Sequence, residues 1–114
     1  PACFIYGGET TVTVTGKGKG GRNQQLALCA LQNSTFSNNM TLLAAGTDGT
    51  DGPTDAAGAF ADNAVIQQAL QQKLQPAHFV EQNDAYTFFE QTDGLFITGA
   101  TQTNVMDIVI VLLP

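Results

Sequence analysis

The chain has 114 residues, 43% of them hydrophobic, which is enough for one buried core and too little for two comfortable domains. Ten acidic against four basic residues give a formal charge of -6, which repels phosphate backbones and anionic lipid, so neither nucleic acid nor a membrane surface is an expected partner. No apolar run approaches the length of a bilayer span; the longest, Ile108 to Leu113, fits a buried strand.

The chain opens on Pro1 without a basic and then long apolar lead, so it reads as an excised piece with no targeting segment shown. Ala2 to Tyr6 is apolar and strand-like, Gly7-Gly8 breaks it, and Thr10 to Thr15 alternates with the period of a half-buried strand. Cys3 and Cys29 lie in apolar contexts with no CxxC spacing. They read as small buried hydrophobes and not as a disulfide, which points to a reducing, cytoplasmic setting.

Gly16-Lys17-Gly18-Lys19-Gly20-Gly21-Arg22-Asn23 follows, holding three of the four basic residues of an acidic chain. Glycine lets backbone approach a partner closely, and the segment adjoins a helix predicted from Arg22 through Leu31, so an anion site is expected at the helix start. A solvated flexible loop is the bland alternative. Glycines 16, 18 and 21 also satisfy GxGxxG, a weak signal by itself, whereas the Walker pattern is absent because Arg22 and Asn23 follow Gly21.

After a polar stretch from Asn33 to Asn39, Leu42-Leu43-Ala44-Ala45 reads as a buried strand that delivers the loop Gly46 to Asp55 at its carboxyl end. Ligands bind at such ends in open α/β sheets. The loop carries Asp48, Asp51 and Asp55, whose mutual repulsion calls for a cation or hydrogen-bond donors. Asp48 and Asp51 are the functional candidates; the bland alternative is an Asx turn followed by a helix cap at Thr54 or Asp55, and Asp55 fits a cap as well as a ligand role.

Asp62 or Asn63 is expected to cap a helix running to about Leu74, with Val65, Ile66, Ala69, Leu70 and Leu74 on its apolar stripe and a solvated glutamine face opposite. Pro76 ends or restarts the helix. A lone His78 is poor grounds for a transition metal. Asn83-Asp84 opens a short helix whose Tyr86, Phe88 and Phe89 fill core. Leu95 to Ile97 is a strand, and a hydroxyl-rich loop through Thr101, Thr103 and Asn104 leads to a last strand from Val105 to Leu113. Two early strands close together followed by strands alternating with helices predict a single three-layer α/β domain over residues 1–114, a mixed sheet flanked by helices. The loops 16–23, 48–54 and 101–104 should converge on one face.

Gly20-Gly21-Arg22-Asn23-Gln24, Thr47-Asp48-Gly49-Thr50-Asp51-Gly52-Pro53-Thr54 and Thr101-Gln102-Thr103-Asn104-Val105-Met106-Asp107 together resemble the MOFRL domain, the carboxyl-terminal domain of class II glycerate kinases, often named hydroxypyruvate reductases. The resemblance runs from Gly7-Gly8-Glu9 to the last strand. Gln25 stands where Glu is usual, Ala85 where Ser often follows Asn-Asp, and Ala100 and Gln102 where Pro and Gly are expected.

The resemblance implies ATP-dependent phosphorylation of D-glycerate, usually to 2-phosphoglycerate, in a cleft against a larger amino-terminal kinase domain. On that reading Arg22, Asp48 and Asp51 are catalytic. Asp48 and Asp51 position Mg²⁺ or accept a hydroxyl proton, and Arg22 clamps a phosphate or the glycerate carboxylate. Lys17, Lys19, Gly20, Gly21, Asn23, Thr47, Thr54, Thr101, Thr103 and Asn104 bind substrate or phosphate. The isolated domain is expected to show no turnover. Two other classes compete: a non-catalytic ligand-binding or structural module, and an NAD(P)-dependent hydroxypyruvate reductase using Gly16 to Gly21.

Overall fold

The computed structural model describes residues 1–9, 16–33 and 39–114; the expected strand over Thr10 to Thr15 lies outside them. Among the described residues nine elements follow one another: β1 (Ala2–Gly8), α1 (Arg22–Gln32), β2 (Thr41–Gly46), β3 (Gly58–Ala61), α2 (Asn63–Gln71), α3 (Pro76–Glu81), α4 (Ala85–Thr92), β4 (Leu95–Phe96) and β5 (Asp107–Leu113). The strands form one sheet in the order β1-β5-β2-β3-β4.

The α/β domain read from the sequence is the one observed, with finer detail in the sheet. Each of its four pairings is antiparallel. A single helix between neighbouring strands returns the chain to its starting end and makes the next strand parallel. Three helices separate β3 from β4, and the chain re-enters beside β3 in the opposite direction.

Alternation along the strands decides which face meets the helices. Leu42 lies opposite Val111 and Ala61, and Ala44 opposite Val109 and Ala59, so all six share one face. These residues pack against Ala27 and Leu28 of α1, Val65 and Ala69 of α2, and Ala85, Phe88 and Phe89 of α4. Phe88 meets Phe89 and Phe79 edge-on, with centroids 5.1 and 5.5 Å apart. Ala44 of β2 and Ala59 and Ala61 of β3 are the small sheet residues that share this core with Ala27 and Leu28 of α1. Among the described residues, the helices of this core therefore lie on one face, and the third layer of the expected sandwich is not among them.

The helix starts follow local chemistry. Asp62 caps α2 by accepting from the Val65 amide at 2.9 Å, as expected, and Pro76 occupies the first turn of α3, where its missing N–H costs nothing. Thr54 and Asp55 cap no helix, because the chain turns instead into β3, whose Gly-Ala-Phe-Ala composition gives little strand signal. Both cysteines are free and exposed, not buried as expected. His78 is exposed on α3, and no described helix is long and apolar enough to cross a membrane.

Candidate functional site

The three loops singled out by sequence meet at the end of the sheet where β2 stops and β5 begins. Gly46, the last residue of β2, pairs with Asp107, the first of β5, and Asp107 pairs on its other side with Gly8 of β1. Thr47 ties the β2 loop to the β4–β5 loop: its hydroxyl donates to the Met106 carbonyl at 2.7 Å and accepts from the Val105 amide at 2.8 Å. Thr101 donates its hydroxyl to the Thr47 carbonyl, and its amide donates to the Asp48 carbonyl at 3.3 Å. Gly49, at φ 90°, closes the lock: a Cβ there would fall 2.0 Å from the Gly99 carbonyl oxygen. Thr103 and Asn104 are exposed on the same loop, with Asn104 Oδ1 accepting from the Met106 amide at 3.0 Å.

Arg22 stands at the first turn of α1, and its guanidinium grips Asp107 in a fork, Nε to Oδ2 at 2.6 Å and Nη2 to Oδ1 at 3.0 Å. Asp107 is 4% exposed, and the hydrogen bond to it raises the Arg22 guanidinium above its ordinary value. The outer edge of the fork, Nη1, faces Glu9 at 3.2 Å, with Arg22 39% and Glu9 54% exposed. Asp107 and Glu9 were missed in the sequence, since Asp107 lies 85 positions from Arg22.

Asp51 has a different place from the one expected. It is buried, and its Oδ1 accepts from the Asn23 amide at 3.0 Å and Asn23 Nδ2 at 3.2 Å. Its Oδ2 accepts from the Gln24 amide at 2.8 Å and Gln24 Nε2 at 3.0 Å. The anion expected at the start of α1 is thus the protein's own carboxylate, which serves the role of a cap that Gly21 cannot fill. Drawing both amides onto Asp51 leaves Asn23 Oδ1 and Gln24 Oε1 buried without a donor among the described residues. Thr54 completes this knot, accepting from Gln24 Nε2 at 3.0 Å and donating to the Asp51 carbonyl at 2.8 Å.

The glycines before α1 likewise face protein. A Cβ at Gly16 would lie 2.3 Å from the Gln82 carbonyl oxygen, at Gly18 2.3 Å from Asp84 Cβ, and at Gly21 2.4 Å from Asp51 Cγ. Gly20 is roomier, its nearest neighbour being the Ala85 amide nitrogen at 3.4 Å. Lys19 lies 4.1 Å over the Tyr86 ring, and the Tyr86 hydroxyl donates to Asp55 at 2.8 Å, which raises the phenol above its usual value. Lys17 is exposed.

Asp48 is the carboxylate left half-exposed, with Oδ1 accepting from the Thr50 amide at 3.0 Å in an Asx turn. Of the two residues expected to hold Mg²⁺, Asp51 does not fit, because both oxygens are spent on α1; Asp48 alone fits as a single carboxylate ligand. Among the described residues no three His, Cys, Asp or Glu side chains group to hold a metal.

Residues 2–107 match the model of the MOFRL family. A D-glycerate 2-kinase of Thermotoga maritima is 46% identical over 110 residues, covering 96% of this chain and 26% of the relative. A glycerate kinase of Danio rerio is 45% identical over 118 residues, covering 98% of this chain and 24% of the relative. The crystal structure of a Thermotoga maritima glycerate kinase superposes with a TM-score of 0.93 at 45% identity, over 100% of this chain and 28% of that one. A Pyrococcus horikoshii OT3 protein superposes at 0.86 with 38% identity, over 97% and 26%. The chain spans about a quarter of the length of these relatives.

Proposed function

The chain belongs to the MOFRL family, and from that premise we propose that it is the carboxyl-terminal part of a glycerate kinase and supplies one wall of a site where ATP phosphorylates D-glycerate to 2-phosphoglycerate. The observation that carries the reading is the half-exposed Arg22, held by buried Asp107 at the point where the sequence-predicted loops meet. Phosphoryl transfer depends on positioned cations and an oriented hydroxyl. The Nη1 edge of Arg22 is the exchangeable tine, held only by the exposed Glu9: a glycerate carboxylate or a transferring phosphate would take the place of Glu9 there, with the fork already fixed by Asp107. Lys17, exposed five residues before Arg22, would add positive charge to the approach. Thr103 and Asn104 would offer a hydroxyl and an amide to a polyol, while Thr101, its hydroxyl committed to the Thr47 carbonyl, shapes the loop that presents them.

Mg²⁺ bound with ATP would neutralise phosphate charge, and Asp48 is the residue here that would touch it or accept the proton of the attacking hydroxyl. Asp51, Thr54, Gly21 and Asn23 serve by holding the α1 start that aims Arg22. Against the reductase reading, Gly16, Gly18 and Gly21 press on the chain itself and the α1 start holds a carboxylate, which would repel a pyrophosphate.

The test grafts the chain in place of the matching quarter of the Thermotoga maritima D-glycerate 2-kinase. The graft is expected to form 2-phosphoglycerate from D-glycerate and ATP, and the 114-residue chain alone to form none. A folded graft that reduces hydroxypyruvate with NADPH and leaves glycerate untouched would overturn the proposal.

A further inference from the structure

The sheet face turned away from the helices carries apolar residues on every strand, with the hydroxyl of Thr41 opposite Leu112. Cys3 lies opposite Leu112, Ile5 opposite Ile110, Ile110 opposite Leu43, and Leu43 opposite Phe60, so these side chains share that face. Phe96 joins it at the far edge, its ring edge-on to Phe60 with centroids 5.4 Å apart. No strand residue on this face is charged. Ile5 is 65% and Leu112 48% exposed, and none of these residues belongs to the core beneath the helices. An antiparallel sheet that keeps one face in water alternates apolar with polar residues, whereas β5 reads Ile108-Val109-Ile110-Val111-Leu112-Leu113 without interruption. Such a strand is built to be covered on both sides, and an apolar face of this extent, half-buried at Leu43, Phe60 and Ile110 and outside the core that the described helices cover, marks an interface.

The relatives bring about three further quarters of polypeptide to the same fold. A covering segment in the same polypeptide meets the face at high effective concentration, which a second copy of the chain does not. We propose that this face seats an apolar helical layer from the part of a glycerate kinase polypeptide outside these 114 residues, making the sheet the middle of three layers. The inference rests on family membership and not on the reaction, so it stands or falls separately from the kinase reading.

The cysteines provide the test, because Cys3 is exposed on this face and Cys29 is exposed on α1, away from it. Maleimide labelling, mapped by mass spectrometry, is compared between the 114-residue chain and the graft into the Thermotoga maritima enzyme. Cys3 should label at least about a hundredfold more slowly in the graft, with Cys29 unchanged within about threefold. A cysteine placed by Leu112→Cys should follow Cys3. Equal Cys3 rates in both proteins overturn the proposal, as does concentration-dependent protection in the isolated chain, which would make a second copy the occupant. Should the graft not fold, the Thermotoga maritima enzyme carrying a cysteine at the position aligned with Cys3 gives the same readout, and a fast-labelling thiol there is equally fatal.

Discussion

Asp51→Ala should be the most damaging loop substitution for stability, and the magnitude follows from what the carboxylate holds. The change removes an acceptor that is 3% exposed and serves two backbone and two side-chain donors. Loss of a helix cap costs about 1–2 kcal/mol, and each of the two buried amide groups left without its acceptor adds about 1 kcal/mol, so the sum is roughly 3–4 kcal/mol. For a domain near this size that lowers Tm by roughly 15–20 °C at about 5 °C per kcal/mol. Asp48→Ala is the matched control, since it removes one Asx-turn bond at a half-exposed site and should cost less than about 1 kcal/mol. Urea unfolding followed by far-ultraviolet circular dichroism, with unchanged m-values, measures both. Equal losses for Asp48 and Asp51 would refute the assignment of Asp51 to the α1 start.

Gly21→Ala should cost about 2–3 kcal/mol although its backbone is extended at φ -147°, because the new Cβ would meet Asp51 Cγ at 2.4 Å; a Tm near that of the parent would show that the Asp51 knot yields. Gln102→Gly should raise stability by up to about 1 kcal/mol, since Gln102 sits at φ 62° where glycine carries no strain, and a loss in urea unfolding would contradict that. The Tyr86 phenol is raised by its bond to Asp55, so the contribution of that bond is complete below the ordinary tyrosine value near 10 and fades as pH climbs through the raised one. Ultraviolet titration should place the Tyr86 transition lower in Asp55→Asn, and an unmoved transition would remove Asp55 as the cause.

The long periodic elements were legible and the site's internal partners were not. Arg22 to Leu31, the Asp62 cap and the apolar run at Ile108 announced α1, α2 and β5 because period, cap chemistry and β-branched residues agree there. β3 escaped because Gly58-Ala59-Phe60-Ala61 is short and alanine-rich; its strand state comes from backbone pairing with β2 on one side and β4 on the other. The convergence of the loops was readable from their placement after strands. What the glycines approach was not, since a Gly-rich segment looks the same whether it borders a phosphate or, as here, Gln82 and Asp51. The same limit hid the Arg22–Asp107 pair, formed between residues distant in sequence, and made Asp51 look like a metal ligand when its charge is spent on two backbone amides.

The most direct measurement of the central claim is kcat/KM for D-glycerate phosphorylation by the Thermotoga maritima graft carrying Arg22→Lys, read beside its Tm. Lysine keeps the charge but cannot hold Asp107 and present a second donor edge at once, so kcat/KM should fall by about a hundredfold or more while the fold persists. A variant with parental kcat/KM would contradict the account and leave Arg22 as a structural partner of Asp107 alone.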